Sequence, residues 1–442
     1  MRPIGGLLRH DPPIELSGRE LAAYRLGMET RLLSFFRPHN IRLTKAPPEA
    51  PSSLKTYKQR ANAMDFDFSE EQNQVRELVR RFAAEEISPR ALEADDEEKF
   101  PKELFVKWGE LGLLGVRYPV ADGGSGMDKI SDCIVREELS YASQAFASTW
   151  SAHTHLGIWP IWRIGTELQK ERYFRPAMKG AKIGCFGLSE PGVGSNIRGL
   201  STKAEKVEGG WCINGAKLYI TNSPFADFML LAARTSQDSV VGGISLFIVD
   251  LPNEGMEISS LKKEGIRASE TGLIHISDAF VPDEALLGEK TGTYPVILES
   301  LAENRVGVAA NALGMARSAM DAAADYAKER EIAGKTLGTY QAIAHKLADM
   351  ATEIEAARWL VYRGAWLVDQ GRLDTATASK VKLFASEVAL RASEQAIRIH
   401  GGAGIMREYR VGRIHRDALV YVIGEGTSEV QRNIIARSLD IV

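Results

Sequence analysis

A change of period constrains this chain more than any other feature. From Pro295 onward, apolar residues return at helical spacing over three unusually long runs, 296–330, 339–370 and 374–399, the last ended by Gly401-Gly402. A further helix starts near Thr427. Long amphipathic helices joined by short connections pack as a bundle. Between 185 and 290 the period is two instead: 228–233, 244–249 and 273–276 read as strands, and Asn214-Gly215 reads as a hairpin turn between alternating segments. That stretch predicts a compact β domain of about six to eight strands. Before it, helical spacing holds again, beginning at the capping box of Ser69 and Gln72. Pro89 ends or kinks that first helix. Further helices are expected over 101–111, 129–145, 148–164 and 167–178. The expected fold is therefore α+β multidomain: an α-helical domain at 64–184, a β-barrel-like domain at 185–290 and a four-helix bundle at 291–442. The Ala-rich, Met-bearing face over 308–324 is wider than one bundle core needs, which points to oligomer contacts.

Residues 1–63 differ in kind. They hold eleven Lys/Arg against five Asp/Glu, a net of +6, so the remaining 44 basic and 53 acidic residues leave −9. A helix over 18–36 is possible. Glu15, Glu20 and Glu29 fit a mitochondrial transit peptide poorly. An extension of no catalytic importance, or an upstream start before Met64, fits equally well, and this arm is expected to be partly disordered or to lie along the surface. The bacterial cytoplasm is the expected setting, or the mitochondrial matrix if the arm is a transit peptide. The net charge of −3 suggests neither nucleic acid nor a membrane surface as partner. Three scattered cysteines form no metal-ligand pattern, and no apolar run is long enough to span a bilayer.

Three stretches carry chemistry. The first runs from Gly184 to Ser195 and concentrates Gly, Pro and Ser around Glu190. Such a loop leaves backbone N–H groups open to an anion or to the edge of a flat ring. It lacks the Lys-Ser/Thr of a phosphate-binding P-loop and the strand–helix setting of a dinucleotide fingerprint. The second pairs Tyr219 with Thr221. Two residues apart on a strand, they share one face, where an aromatic ring can stack on a planar cofactor and a hydroxyl can bond its edge. The third is Glu425 between Gly424 and Gly426. A carboxylate on a glycine-flanked bend can project into a cavity, and apolar surroundings would raise its pKa toward that of a general base.

Taken together these motifs resemble the acyl-CoA dehydrogenase family of flavoproteins. The loop from Glu190 to Ser195, the strand from Tyr219 to Asn222, Arg330 with Gly334 and Lys335, Gly401-Gly402 with Gly404, Arg416-Asp417-Ala418 and Glu425-Gly426-Thr427 occur in the family's order, across about residues 64–442. The resemblance implies FAD between the β domain and the bundle. Phe186, Leu188, Ser189 and Ser195 would line the isoalloxazine, Tyr219 would flank it, and Thr221 would bond near N5. Arg330 and Gln341 would reach the pyrophosphate and adenosine end from a neighbouring chain, with Arg398, Gly401 and Gly402. Thr427 and Glu429 would touch the cofactor beside the base. Glu425 would take the α-proton of an acyl-CoA while the β-carbon gives hydride to the flavin. Ser195, Arg305, Gly424 and Gly426 would border the thioester. The implied assembly is a homotetramer, a dimer of dimers, and the implied electron acceptor is an electron-transfer flavoprotein.

Some relatives carry the base on the first bundle helix, where this chain has Asn304, so Glu425 stands as sole candidate. Other departures are Asn196, Ala333, Arg398 and His400, and Gly424, which would widen the pocket for a branched or cyclic acyl group. The loop and the Arg267-Ala268-Ser269 segment resemble the glutaryl-CoA branch. That branch's carboxylate-binding arginine falls at Ala147, so a dicarboxylate substrate is disfavoured. Trp150, His153 and His155 could shape the acyl pocket or serve as core. The alternatives are an oxygen-reducing relative of the oxidase kind and an inactive family member serving as scaffold.

Overall fold

The computed structural model describes residues 67–236 and 243–441. The basic arm at 1–63, with its expected helix over 18–36, lies outside the described residues. Helix α1 (Glu70–Phe82) begins at the expected capping box: Gln72 N–H donates to Ser69 Oγ at 3.2 Å, and Ser69 N–H donates to the Gln72 side chain at 2.9 Å. A π-turn over Ala83–Ile87 and a tight turn over Ser88–Arg90 follow, so the helix does give way around Pro89. After α2 (Ala91–Glu97) and α3 (Leu104–Glu110), α4 (Lys129–Ala142) stops at extended Ser143. Then come α5 (Gln144–Ser151), a π-turn over Ala152–Gly157, α6 (Trp159–Ile164) and a helical run over 167–178.

Seven strands follow: β1 (Gly184–Gly187), β2 (Lys203–Val207), β3 (Gly210–Thr221), β4 (Phe228–Arg234), β5 (Ile244–Asp250), β6 (Met256–Ser260) and β7 (Thr271–Pro282). They form one curled sheet in the order β1-β4-β2-β3-β7-β6, with β5 antiparallel to β4. The first six residues of β4 are all buried because the strand faces two cores. Phe228, Leu230 and Ala232 pack with Ile158, Phe174 and other helical-domain residues; Met229, Leu231 and Ala233 pack with Trp211, Phe247 and Val281 inside the curl. A strand covered on both sides reads as a continuous apolar run.

The hairpin expected at Asn214-Gly215 is not there. The chain turns instead at Gly209 (φ +73), between β2 and β3, and β3 continues straight through 214 and 215. The pairing of β3 with β7 shifts register between Ile213 and Gly215, which is a β-bulge. Asn214 serves it by accepting from Asp278 N–H at 2.8 Å and donating to Asp278 Oδ1 at 3.0 Å. An Asn-Gly pair suits positive φ in a bulge as well as in a turn, and this one is used for the former.

The bundle comprises α7 (Tyr294–Glu329), α8 (Gln341–Asp369), α9 (Thr375–His400), α10 (Arg410–Ile423) and α11 (Ser428–Arg437), with a short hairpin of β8 (Glu331–Ile332) and β9 (Lys335–Thr336) after α7. The four-helix expectation omitted α10, which packs on α9 and supplies Val411, Ile414, Ala418 and Tyr421 to the core. The wide Ala-rich face of α7 is consumed within the chain, contrary to its expected use in oligomer contacts. Val308, Ala309, Leu313, Met315, Ala316, Ala319 and Ala323 are all buried against α4 and the other bundle helices. Gly314 permits the close crossing of α4, since a Cβ there would overlap the Glu137 carbonyl.

Candidate active site

Helix α10 ends where Gly424 N–H donates to Val420 O at 2.7 Å, and α11 begins at Thr427, whose Oγ1 accepts from Val430 N–H at 3.2 Å. Between these caps the chain bends through Glu425 (φ +57) and Gly426 (φ +90). Left-handed backbone at a non-glycine residue is uncommon, and here it sets the direction of the Glu425 side chain. The bend leaves part of Glu425 accessible, yet its Oε2 is buried and has no hydrogen-bond partner. Burial pushes the carboxyl above its usual pKa, opposed by the Asn304 side chain, then by the charges of Lys382, Arg305 and Arg136. A half-desolvated, under-bonded carboxylate among restraining cations is arranged as a proton acceptor.

Lys382 escaped the reading of the sequence. It is fully buried on α9, donates from Nζ to Gly426 O at 2.8 Å, and is itself held down at about 8 by desolvation, with Glu425 pulling the other way. The bend is thus anchored from below by a cation that also faces the carboxylate. Its signal in the sequence was a lysine inside the apolar stripe of Ala378, Val381 and Ala385. Arg305, one residue past Asn304 on α7, has a buried Nε without a partner, the mark of a guanidinium placed to receive something.

The β domain reaches this centre through α5. Asn222, at the end of β3, donates from Nδ2 to Thr149 O at 3.0 Å, and Ser148 Oγ lies 2.9 Å from Tyr421 OH on α10, one turn before Glu425. Thr221 is half-buried beside that junction, and Tyr219 is 70% exposed at φ +61, so its ring lies bare on the sheet. Phe186 is nearly buried on β1, Leu188 and Ser189 are half-buried, and Ser195 is exposed on the loop. Cβ atoms added at Gly192 and Gly194 would meet nothing within 4 Å. The loop is held by Glu190, which is buried. Lys217 Nζ donates to it at 2.8 Å, Ser201 N–H at 2.7 Å and Thr202 N–H at 2.9 Å, and despite desolvation these donors keep it at about 2. An exposed ring, open glycine backbone and unclaimed polar atoms at Asn222 Oδ1 and Ser428 Oγ fit a planar cofactor with polar edges.

The remaining expected cofactor residues lie elsewhere in the chain. Arg330 caps α7, Gln341 opens α8, and Arg398, Gly401 and Gly402 close α9, all exposed. Tyr326 stacks on His400 at 4.3 Å, so the C-terminal ends of α7 and α9 meet. Arg305 and the end of α7 are 24 residues apart, ~36 Å at helical rise. One chain therefore presents two separate groups, one around Glu425 and one around Arg330. Arg398 is engaged with Glu394 at 2.7 Å. Glu429 is exposed in the first turn of α11. Trp150, His153 and His155 are core: His153 Nδ1 accepts from Gly184 N–H at 3.0 Å, its Nε2 meets Ala177 O, and His155 Nε2 meets Ser300 O. Ala147 is fully buried.

Comparison with known proteins agrees with this architecture. The acyl-CoA dehydrogenase N-terminal, middle and C-terminal domain families match residues 69–181, 185–279 and 293–439. A probable acyl-CoA dehydrogenase, YngJ, of Bacillus subtilis is 44% identical over 85% of this chain and 100% of its own length. The CarC subunit of the caffeyl-CoA reductase-Etf complex of Acetobacterium woodii is 39% identical over 84% of this chain and 99% of its own. The structure of butyryl-CoA dehydrogenase from Megasphaera elsdenii superposes with a TM-score of 0.82 at 37% identity, covering 85% of this chain and 100% of the other. With three domain families matched in order over a helix–sheet–helix frame, the chain belongs to the acyl-CoA dehydrogenase family.

Proposed function

We propose that Glu425 is the catalytic base of an FAD-dependent acyl-CoA dehydrogenase, which converts an acyl-CoA thioester to its 2-enoyl-CoA. The oxidoreductase activity and the FAD cofactor are those of the family. The observation that carries the assignment of the base is the buried, unpartnered Glu425 Oε2 on a bend fixed at both caps. FAD, when bound, would supply the acceptor for the β-hydride. The protein's task is the other hydrogen. An α-proton beside a thioester is a very weak acid, so Glu425 takes it only if the developing enolate is stabilised. The Glu425 N–H is free of the helix ladders on either side and is suited to donate to the thioester oxygen, a contribution of about 3 kcal/mol for a well-placed donor. Asn304 and Lys382 orient the carboxylate, and Arg305 borders the thioester.

Tyr219, Thr221, Phe186, Leu188, Ser189 and Ser195 form the flavin face. Arg330, Gln341, Arg398, Gly401 and Gly402 serve the pyrophosphate and adenosine end of a neighbouring chain's FAD. The separation of the two groups supports this reading, as does the apolar surface of Ile332, Ile405, Met406 and Tyr409 beside the second group. The assembly is then a homotetramer. Electrons pass to an electron-transfer flavoprotein, the partner named in the complex of the A. woodii relative. Bacterial relatives support a cytoplasmic setting; among the described residues no helix is long and apolar enough to cross a membrane. The test is anaerobic bleaching of the bound flavin by a panel of acyl-CoAs in wild type and Glu425→Gln. Bleaching that persists at near-normal rate in the variant places the base elsewhere.

A further inference from the structure

Three residues of α7, Asn304, Gly307 and Asn311, lie at spacings of three and four and so share one face of the helix. Asn304 meets Glu425. One turn on, Gly307 leaves room for Arg136 of α4: a Cβ there would fall 2.6 Å from Arg136 Cζ. One turn further, Asn311 Nδ2 donates to Tyr421 OH at 3.2 Å and to Ser151 Oγ at 3.1 Å. The face runs about 10 Å from Asn304 to Asn311, at 1.5 Å per residue, and carries polar groups at both ends.

Arg136 is fully buried. Its Nε donates to Asp132 at 2.9 Å and its Nη1 to Ser151 Oγ at 2.9 Å, and its Cζ lies 5.2 Å from the centre of the Trp150 ring, while Nη2 has no hydrogen-bond partner. Asn311 Oδ1 is likewise unclaimed. Asp132 cannot neutralise Arg136 alone, because it also receives Lys129 Nζ at 2.6 Å. Ion pairs here join three cations, Arg117, Lys129 and Arg136, to two carboxylates, Asp132 and Glu303. A buried guanidinium N–H left unpaired is costly, and the group is always charged. A site made only for a hydrocarbon chain would bury apolar side chains along this face.

We propose that Arg136 reads an oxygen acceptor, most strongly a carboxylate, carried on the acyl chain a few carbons beyond the thioester. The cation comes from α4, so the uncharged Ala147 on α5 does not bear on it. The inference rests on the acyl-CoA dehydrogenase reading above, and it makes Arg136 a specificity residue, with Asn311 beside it.

The test compares three five-carbon thioesters: glutaryl-CoA, its terminal methyl ester and valeryl-CoA. Wild type is expected to favour an oxygen-bearing chain by about tenfold or more in kcat/KM, since a site built to bond an oxygen rejects the analogue lacking it. Arg136→Met should erase that ratio. Dissociation constants measured on the Glu425→Gln background, which does not turn over, should show the same preference and the same loss. If Arg136→Met does not fold, Arg136→Lys keeps a charge but loses the fork and should still cut the ratio. Valeryl-CoA bleaching the flavin as well as the others, or a ratio unchanged in Arg136→Lys, overturns the inference and leaves the dehydrogenase standing. Failure of every acyl-CoA in a wide panel to bleach the flavin overturns the dehydrogenase reading and this inference with it.

Discussion

At the scale of single residues, the centre is governed by how the charge on Glu425 is balanced. Removing the charge while keeping the shape, in Glu425→Gln, should leave flavin content intact and lower the reductive rate about a thousandfold, within the range for loss of a general base. The pH dependence follows from signs. As the proposed base Glu425 must be ionised, and desolvation lifts its pKa while Asn304, Lys382 and Arg305 restrain the lift. Activity should therefore fall on acidification at a pH above that of an ordinary carboxylate. Lys382→Met removes one restraining cation, which favours the protonated acid, so the acidic limb of the kcat/KM profile should move to higher pH. A limb that stays in place in this variant would show that Lys382 acts on the bend alone. The bend at Glu425 was legible in the sequence because its glycine flanks are local. Lys382, Arg136 and Asn311 were not, because their partners lie 44, 15 and 110 residues away along the chain.

At the scale of elements, the sequence conveyed helices and strands well where burial follows a single period. Both faces of β4 are covered, so its run was plain. It misled where one local signal serves two geometries, as Asn214-Gly215 does in a bulge. It also misled on α7, whose wide apolar face suits an intersubunit contact but is covered by α4. That crossing depends on Gly314. Gly314→Ala should force the helices apart at the Glu137 carbonyl and cost about 1–3 kcal/mol, as overpacking does, read as a lowered unfolding midpoint without loss of bound flavin at low temperature. The cap of α11 makes a second, separable case. Thr427→Ala removes the acceptor for Val430 N–H and should cost about 1 kcal/mol. The cap is a feature of the chain itself, so its share of the loss should appear in flavin-free protein, and any contact of Thr427 with the cofactor should add to the loss in flavin-loaded protein. A loss confined to the loaded form would mean that Thr427 acts on the cofactor instead.

At the scale of the whole molecule, the chain divides into a segment of residues 1–67 and a unit of residues 68–442 with its own core. The three matched domains fall within 69–439, and the B. subtilis relative is matched over its full length by 85% of this chain. The frame that holds Glu425 needs α4, α5, β3, α7, α9 and α10 together, and every contact described at the centre comes from that second unit. Helix α1 starts with its own capping box at Ser69, so it needs no upstream residue to begin. The charge asymmetry points the same way: the first 63 residues carry +6 and the rest −9, a difference that suits an accessory role in association more than one in the chemistry. A chain beginning at Asp67 should therefore fold, bind FAD stoichiometrically and oxidise its acyl-CoA with kcat and KM within about twofold of the full chain, since tolerance to deletion concentrates at chain termini. The measurement is flavin absorbance per chain with steady-state kinetics on both forms. A truncated chain that comes out colourless, or yellow but slowed tenfold, would show that the arm is needed for the site.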